Sequence, residues 1–245
     1  MKVSVIILTI RGREKMLQEA FRSICKQTVK PYEVIVVFSE ENLTRKWAIE
    51  NEAIAKSDGD AFIPFCDDDI LDPTYIEKTT RRMKETKADI IGTYLENFGN
   101  ETGIHGFSEI PPGTSLIRKS IWEKVGGYDE TMTLGGDVDF FKMCREKRAK
   151  IEILQEPLLK YRRHLHNWGN TKELKGSYKT MKEKDDKRKM SSIAEKGFSN
   201  GYRCLVCGKK IHNSAGSIDQ DHQLFCSPEC MSKYDNSLKC IPNQK

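Results

Sequence analysis

The chain has no long hydrophobic run. Its opening apolar stretch, Val3–Leu8, is far shorter than the roughly 20 residues a membrane-spanning helix needs. It also lacks the flanks and cleavage site of a signal peptide. No later segment is longer or more apolar, so the expectation is a cytoplasmic chain with no membrane span. No internal repeat is evident. Apolar anchors are sparse between Lys172 and Lys196, where Leu174, Tyr178 and Met181 stand among Lys, Glu, Asp and Ser; this stretch reads as an exposed helix or linker. Cysteine pairs are missing from the first 169 residues. Cys25, Cys66 and Cys144 are scattered among apolar neighbours and are expected to be buried thiols.

What the chain does have is room for one medium domain and a small appendage: 245 residues, 38% hydrophobic and 31% charged. Its net charge of +5 is unevenly spread. Residues 1–169 hold 26 Lys and Arg against 27 Asp and Glu, whereas residues 170–245 hold 15 against 9. The basic excess belongs to the C-terminal third, which suits either contact with a polyanion or a solvated tail.

The first hundred residues alternate between the two periodicities. Val3–Thr9 is a continuous apolar strand, and Arg13–Gln27 carries Leu17, Ala20, Phe21 and Ile24 at the spacing of a helix packed by one face. Further strands are expected at Glu33–Phe38, Ala61–Phe65 and Asp89–Leu95, with helices over Thr44–Ser57 and from about Pro73. Such repeats imply an α/β fold, a mainly parallel sheet flanked by helices, with ligands bound beyond the carboxyl ends of the strands. From Glu96 to Gly113 the pattern dissolves into a loop expected to serve the active site or an acceptor. A short helix over Lys119–Val125 closes on Gly126-Gly127, another starts near Asp137, and Ile151–Leu154 and Leu158–His164 read as short strands.

Asp67-Asp68-Asp69 follows the third apolar strand. Carboxylate oxygens suit hard cations such as Mg²⁺ or Mn²⁺, and a metal there could clamp a nucleotide diphosphate. Turns and helix N-termini also collect Asp, so the run has a purely structural alternative.

Taken in order, VSVIILT, SICKQT, EVIVV, NEAIAKSDGD, DDDILDP, VGGYDE, GGDVDFF and EPLLKYRRHLHN resemble a family-2 glycosyltransferase over the N-terminal 170 residues. The resemblance implies the GT-A (Rossmann-like) fold and a metal-dependent, inverting transfer from a nucleotide-sugar donor, UDP-sugar favoured, to an acceptor hydroxyl. Asp67, Asp68 and Asp69 then stand for the DXD motif that holds Mn²⁺ or Mg²⁺. His164 takes the histidine of the YRxH pattern, as a ligand or phosphate contact or as a structural residue. Asp137 stands in the place of the base, with the helix dipole favouring its ionised form, and an N-cap role compatible with it. Asp139 has a secondary, orienting role. Thr9, Arg11, Glu40, Asn51 and Arg162 are the further candidates for donor contacts. Three positions depart from the pattern. Phe38-Ser39-Glu40-Glu41 lacks the Asp that reads the nucleobase, Gly136 replaces the Glu before the base, and Glu50 replaces an Arg before Asn51, with Arg45 as its stand-in.

Cys204-x2-Cys207, followed eighteen residues later by Cys226-x3-Cys230, has the spacing of a tetrahedral Cys₄ zinc site. Four ligands leave no open position, so the zinc is expected to be structural, in a zinc-ribbon or treble-clef-like module. The expected organisation is therefore a glycosyltransferase domain at 1–169, a basic linker at 170–197 and a zinc module at 198–240. The module could dock nucleic acid or protein, or simply cap the enzyme. The alternative to a transferase is a nucleic-acid- or protein-binding adaptor on a degenerate transferase fold, or a transferase whose acceptor is itself nucleic acid.

Overall fold

The computed structural model describes residues 1–39, 45–164 and 167, and the backbone of 202–204, 210–211 and 218–224. Eleven strands form one sheet, in the order β10-β9-β11-β2-β1-β3-β7-β5-β8-β4, with β6 paired to β5. Its centre is β1 (Val3–Thr9), every residue of which is buried. A strand with a parallel partner on each side and helices over both faces has no wet face, which is why its sequence is a continuous apolar run rather than an alternation. The one polar residue in its first half, Ser4, donates to Glu33 Oε1 at 2.6 Å.

Helix α1 (Glu14–Cys25) buries Leu17, Ala20, Phe21 and Ile24, the predicted face. It leads into β2 (Glu33–Phe38), which pairs parallel to β1 with Val34 beside Val5. After α2 (Lys46–Lys56), β3 (Ala61–Cys66) pairs parallel to the other side of β1. The two-residue β4 (Ile70–Leu71) and α3 (Tyr75–Thr86) follow. Strand β5 (Ile90–Gly99) turns into β6 (Gly103–His105), and β7 (Leu116–Arg118) runs into α4 (Lys119–Val125). The backbone N–H groups of Gly126 and Gly127 both reach Trp122 O at 3.0 Å, closing α4 at the predicted glycine pair. Helix α5 (Gly136–Glu146) and β8 (Ile151–Arg163) complete the described N-terminal part.

Three expectations are corrected. The sheet is mixed rather than mainly parallel: β7 lies between β3 and β5 and is antiparallel to both, while β4 is antiparallel to β8. Glu96–Gly113 is not all loop. Strand β5 continues to Gly99 because β8 runs parallel beside it to Arg163, and Lys160 pairs with Glu96 at 3.5 Å. Glu96 and Asn97 are only partly buried and Lys160 is exposed, which hides the strand from a search for apolar periodicity. The two short strands after Ile151 are one strand, in which register shifts opposite Tyr94 accommodate Pro157.

Beyond β2 the sheet is extended by β9 (Tyr202–Cys204), β10 (Lys210–Ile211) and β11 (Ile218–Leu224), with β11 antiparallel to β2. Both predicted domain boundaries, at 169/170 and 197/198, lie outside the described residues, as do Cys207, Cys226 and Cys230 and the side chain of Cys204. Among the described residues, no helix is long and apolar enough to cross a membrane.

Candidate functional site

Strand β3 ends at Cys66, and the chain turns through Asp67, Asp68 and Asp69 before β4 joins β8. All three carboxylates are buried, at 2%, 9% and 2% exposure. Their partners come from β1, from Arg13 before α1 and from the end of β8. Thr9, the last residue of β1, donates its hydroxyl to Asp67 Oδ2 at 2.6 Å. Arg13 donates Nη1 to Asp67 Oδ1 at 3.0 Å and lies 3.5 Å from Asp68 Oδ2. His164 Nε2 is 3.0 Å from Asp68 Oδ2. The backbone N–H of Arg162 donates to Asp69 Oδ1 at 3.0 Å, and its Nε–H donates to the Asp68 carbonyl at 2.8 Å. Arg162 is itself steadied by Glu19 and by the Phe98 ring, 4.5 Å from its guanidinium carbon.

These contacts do not neutralise the cluster. Burial raises the carboxyl of Asp67 above the ordinary aspartate range, against the opposing effects of the Thr9 hydroxyl and Arg13. Asp69 is raised well above that range, by burial first and then by the charge of Asp68. Ligand atoms of Cys66, Asp68 and Asp69 lie within 4.8 Å of one another. The carboxylates fit a hard divalent cation. The Cys66 thiol suits such a cation less, because sulfur is a soft ligand; burial raises it well above the ordinary thiol range.

A cavity of about 360 Å³ opens in front of the turn, lined by Thr9, Arg13 and the three aspartates on one side and by residues of α2 and α5 on the other. Asp137 reaches it from the first turn of α5. It is partly buried and lies close to Gly113, where an added Cβ would come within 2.8 Å of Asp137 Oδ2. The preceding residue, Gly136, lies against the Trp47 indole; a Cβ there would be 2.5 Å from Cε2. No side chain fits at 136 while Trp47 keeps its place.

The other expected residues divide. Asp139 is completely buried and does not line the cavity. Arg162 and His164 act on the aspartates rather than lining the cavity. Asn51 is spent on structure: its Nδ2 donates to Tyr128 O and its Oδ1 accepts from Tyr128 N–H, both at 2.8 Å. Arg11 is exposed, and it is Arg13 that reaches the aspartates. Glu40 lies outside the described residues. Arg45 is exposed just before α2, and the α2 cation that enters the cavity is Lys46.

Arg13, Lys46 and Trp47 were not among the expected site residues. The signal for Arg13 was its position four residues before Leu17, where the apolar face of α1 begins, at a helix N-terminus beside a strand end. Lys46 and Trp47 carried none, because one polar and one large apolar residue opening a helix are ordinary. Lys46 lies 3.8 Å from Glu50, and the Glu50 carboxyl is raised by burial, with Lys46 opposing.

No protein-family profile matches the chain. It is 27% identical over 207 residues to the uncharacterized glycosyltransferase MJ1057 of Methanocaldococcus jannaschii, covering 65% of this chain and 70% of that protein. It is 24% identical over 192 residues to the uncharacterized glycosyltransferase YwdF of Bacillus subtilis, covering 61% of this chain and 70% of that protein. Among solved structures, S. aureus TarS 1-349 in complex with UDP-GlcNAc superposes with a TM-score of 0.61 at 14% identity, covering 74% of this chain and 65% of that one. The UDP complex of the same fragment gives 0.57 at 16% identity, covering 66% and 61%. The chain thus spans somewhat under two thirds of the TarS fragment. Its N-terminal part has a glycosyltransferase fold, and its sequence is similar to glycosyltransferases.

Proposed function

We propose that this chain is a metal-dependent, inverting glycosyltransferase of the family-2 type, moving a sugar from a UDP-sugar to an acceptor hydroxyl. One observation carries this reading: the buried aspartate turn and Asp137 line the same cavity. The turn suits the diphosphate end of a donor, and Asp137 suits the acceptor end.

Asp68 and Asp69 are the residues assigned to Mg²⁺ or Mn²⁺. Such a cation, when bound, supplies positive charge to the leaving diphosphate. Thr9, Arg13 and the Arg162 backbone hold the carboxylates in place before any ligand arrives, so little reorganisation is left for the moment of reaction. Asp137 accepts the proton of the acceptor hydroxyl as its oxygen bonds to the anomeric carbon. The bond from that carbon to the phosphate oxygen breaks, its electron pair leaving with UDP. Attack from the face opposite the leaving group inverts the anomeric centre.

The four cysteines Cys204, Cys207, Cys226 and Cys230 are assigned a closed, structural Zn²⁺. In a short segment such a metal supplies folding free energy on the order of 10 kcal/mol. The basic stretch before it is assigned to contact with the acceptor or a partner. Metal analysis of protein purified without chelator should return one zinc per chain, and its absence would remove this part of the proposal.

The transferase itself is tested by thermal stabilisation with UDP-, GDP- and dTDP-sugars, with and without Mn²⁺, followed by donor turnover in wild type and Asp137→Asn. Manganese-dependent stabilisation by a UDP-sugar, and turnover lost in the variant, is the expected result. Turnover unchanged by Asp137→Asn would show the base to be misassigned.

A further inference from the structure

One ion pair in the cavity has no part in the proposed reaction. Lys46 and Glu50 stand one turn apart on α2, and both line the cavity together with Asp68 and Asp137. The Lys46 ammonium lies 4.4 Å from the centre of the Trp47 ring and 3.8 Å from Glu50 Oε1. The second distance is beyond hydrogen-bond reach, so Glu50 offsets the charge of Lys46 without taking up an N–H donor. Glu50 is itself only 4% exposed. A carboxylate that deep normally has its charge matched by direct hydrogen bonds, and here the matching cation stands off by nearly one ångström.

Three features place this pair at the point of sugar transfer. Lys46 lies within the electrostatic influence of both Asp68, at the diphosphate end, and Asp137, at the acceptor end; burial lowers its pKa, and Glu50, Cys66, Asp137 and Asp68 together outweigh that and raise it. Trp47 fixes the ammonium through its ring face, and Trp47 is fixed in turn by Tyr128, whose ring centre is 5.1 Å away, and by Gly136. Because Gly136 leaves no space for a side chain, α5 brings no carboxylate at that position, and Glu50 is the one α2 brings to the same cavity.

An ammonium donor and a carboxylate acceptor a few ångströms apart match a pair of neighbouring hydroxyls, one accepting and one donating. Resting on the transferase reading above, we propose that Lys46 and Glu50 read the hydroxyls of the transferred sugar and select a neutral sugar over one bearing a carboxylate. A uronate would bring a further carboxylate into the cavity that Glu50 and Asp137 line. The pair is thus a specificity determinant, separate from the residues that hold the diphosphate.

The test is calorimetric titration of the full chain in Mn²⁺ with UDP, UDP-GlcNAc, UDP-glucose, UDP-galactose and UDP-glucuronic acid. Wild type should hold at least one neutral UDP-sugar more tightly than UDP, and UDP-glucuronic acid more weakly than that neutral sugar. Lys46→Met should leave UDP affinity within about twofold and weaken the neutral UDP-sugar by about tenfold, the loss of one charge-assisted hydrogen bond. Glu50→Gln should narrow the gap between glucuronic acid and the neutral sugar. Should a single substitution unfold the chain, Lys46→Met with Glu50→Gln removes both charges together and should still lose the sugar-dependent gain.

Equal weakening of UDP and UDP-sugar by Lys46→Met would make Lys46 a phosphate contact and overturn the inference. So would unchanged affinities, a wild type that binds no UDP-sugar better than UDP, or one that prefers the uronate. A wild-type chain that binds no UDP at all overturns the UDP-sugar reading on which the inference rests, and that result is seen before any substitution is made.

Discussion

The two walls of the cavity are built differently. On the β3 side, each aspartate is tied by its own partner, from β1, from Arg13 or from the end of β8, and the residues follow the glycosyltransferase pattern closely. On the α2–α5 side the sequence departs from that pattern at Gly136 and Glu50; Trp47 packs on Gly136, and Lys46 stands 3.8 Å from Glu50. In the proposed reaction the first wall is assigned to the donor diphosphate and the second to the sugar and acceptor. A site can therefore keep its chemistry fixed while exchanging the surface that chooses the substrate.

The sharpest way to break this contrast is at the chemistry. Asp69→Asn and Asp137→Asn should each lower turnover by about 10³-fold or more, measured as donor consumption at saturating Mn²⁺. Their effects on folding should differ. Asp69 is buried and its carboxyl is raised, so its ionised form is a strain on the fold at neutral pH. Asparagine keeps the acceptor for the Arg162 N–H. Metal-free Asp69→Asn should melt higher than wild type, by about 2–4 °C if one kcal/mol is recovered. A lower melting temperature would mean the turn depends on the charge.

Next in size is an attempt to restore the family residue. Gly136→Glu places a side chain into Trp47 and should cost about 1–3 kcal/mol, read by denaturant unfolding. Trp47→Ala in the same chain should return part of that loss, which would show the two positions to be coupled. Simple additivity would argue against the coupling.

Thr9→Val should cost about 1–3 kcal/mol, since it leaves the buried Asp67 short of its hydroxyl partner. The smallest effect is remote from the site. Burial raises Glu33 against the hydroxyl of Ser4 and the backbone N–H of Asp58. The folded chain then binds this proton more tightly than the unfolded one, so the contribution is present below the ordinary glutamate range and is lost as pH rises through the raised value. Glu33→Gln should be neutral or stabilising by under about 1 kcal/mol at pH 7, and the gain should vanish near pH 4. A gain that persists unchanged at low pH would exclude titration of Glu33 as its cause.

Much of this was legible in the chain. The fully apolar Val3–Thr9, the one-faced α1 and the glycine pair after α4 each obey a single local rule, and each stands as expected. The aspartate turn was found as a carboxylate run at the end of an apolar strand, and Asp137 through the resemblance to the glycosyltransferase pattern. What escaped depends on distant neighbours. Strand β5 continues past Leu95 only because β8 lies beside it. Asn51 was expected at the donor, yet its amide is matched to the backbone of Tyr128, 77 residues away in sequence. Lys46 and Trp47 acquire meaning only when Gly136 is brought against them.

That Asn51 clasp has a mechanical consequence. It ties α2 to the segment entering α5, so Lys46, Trp47, Glu50, Gly136 and Asp137 are carried on one strut rather than two. Any tilt of that strut would carry the base and the sugar-facing pair together and preserve their spacing, while the aspartate turn stays anchored to the sheet. The cavity is in that sense a vice with one fixed jaw, and lineages could refit the other jaw without machining the first.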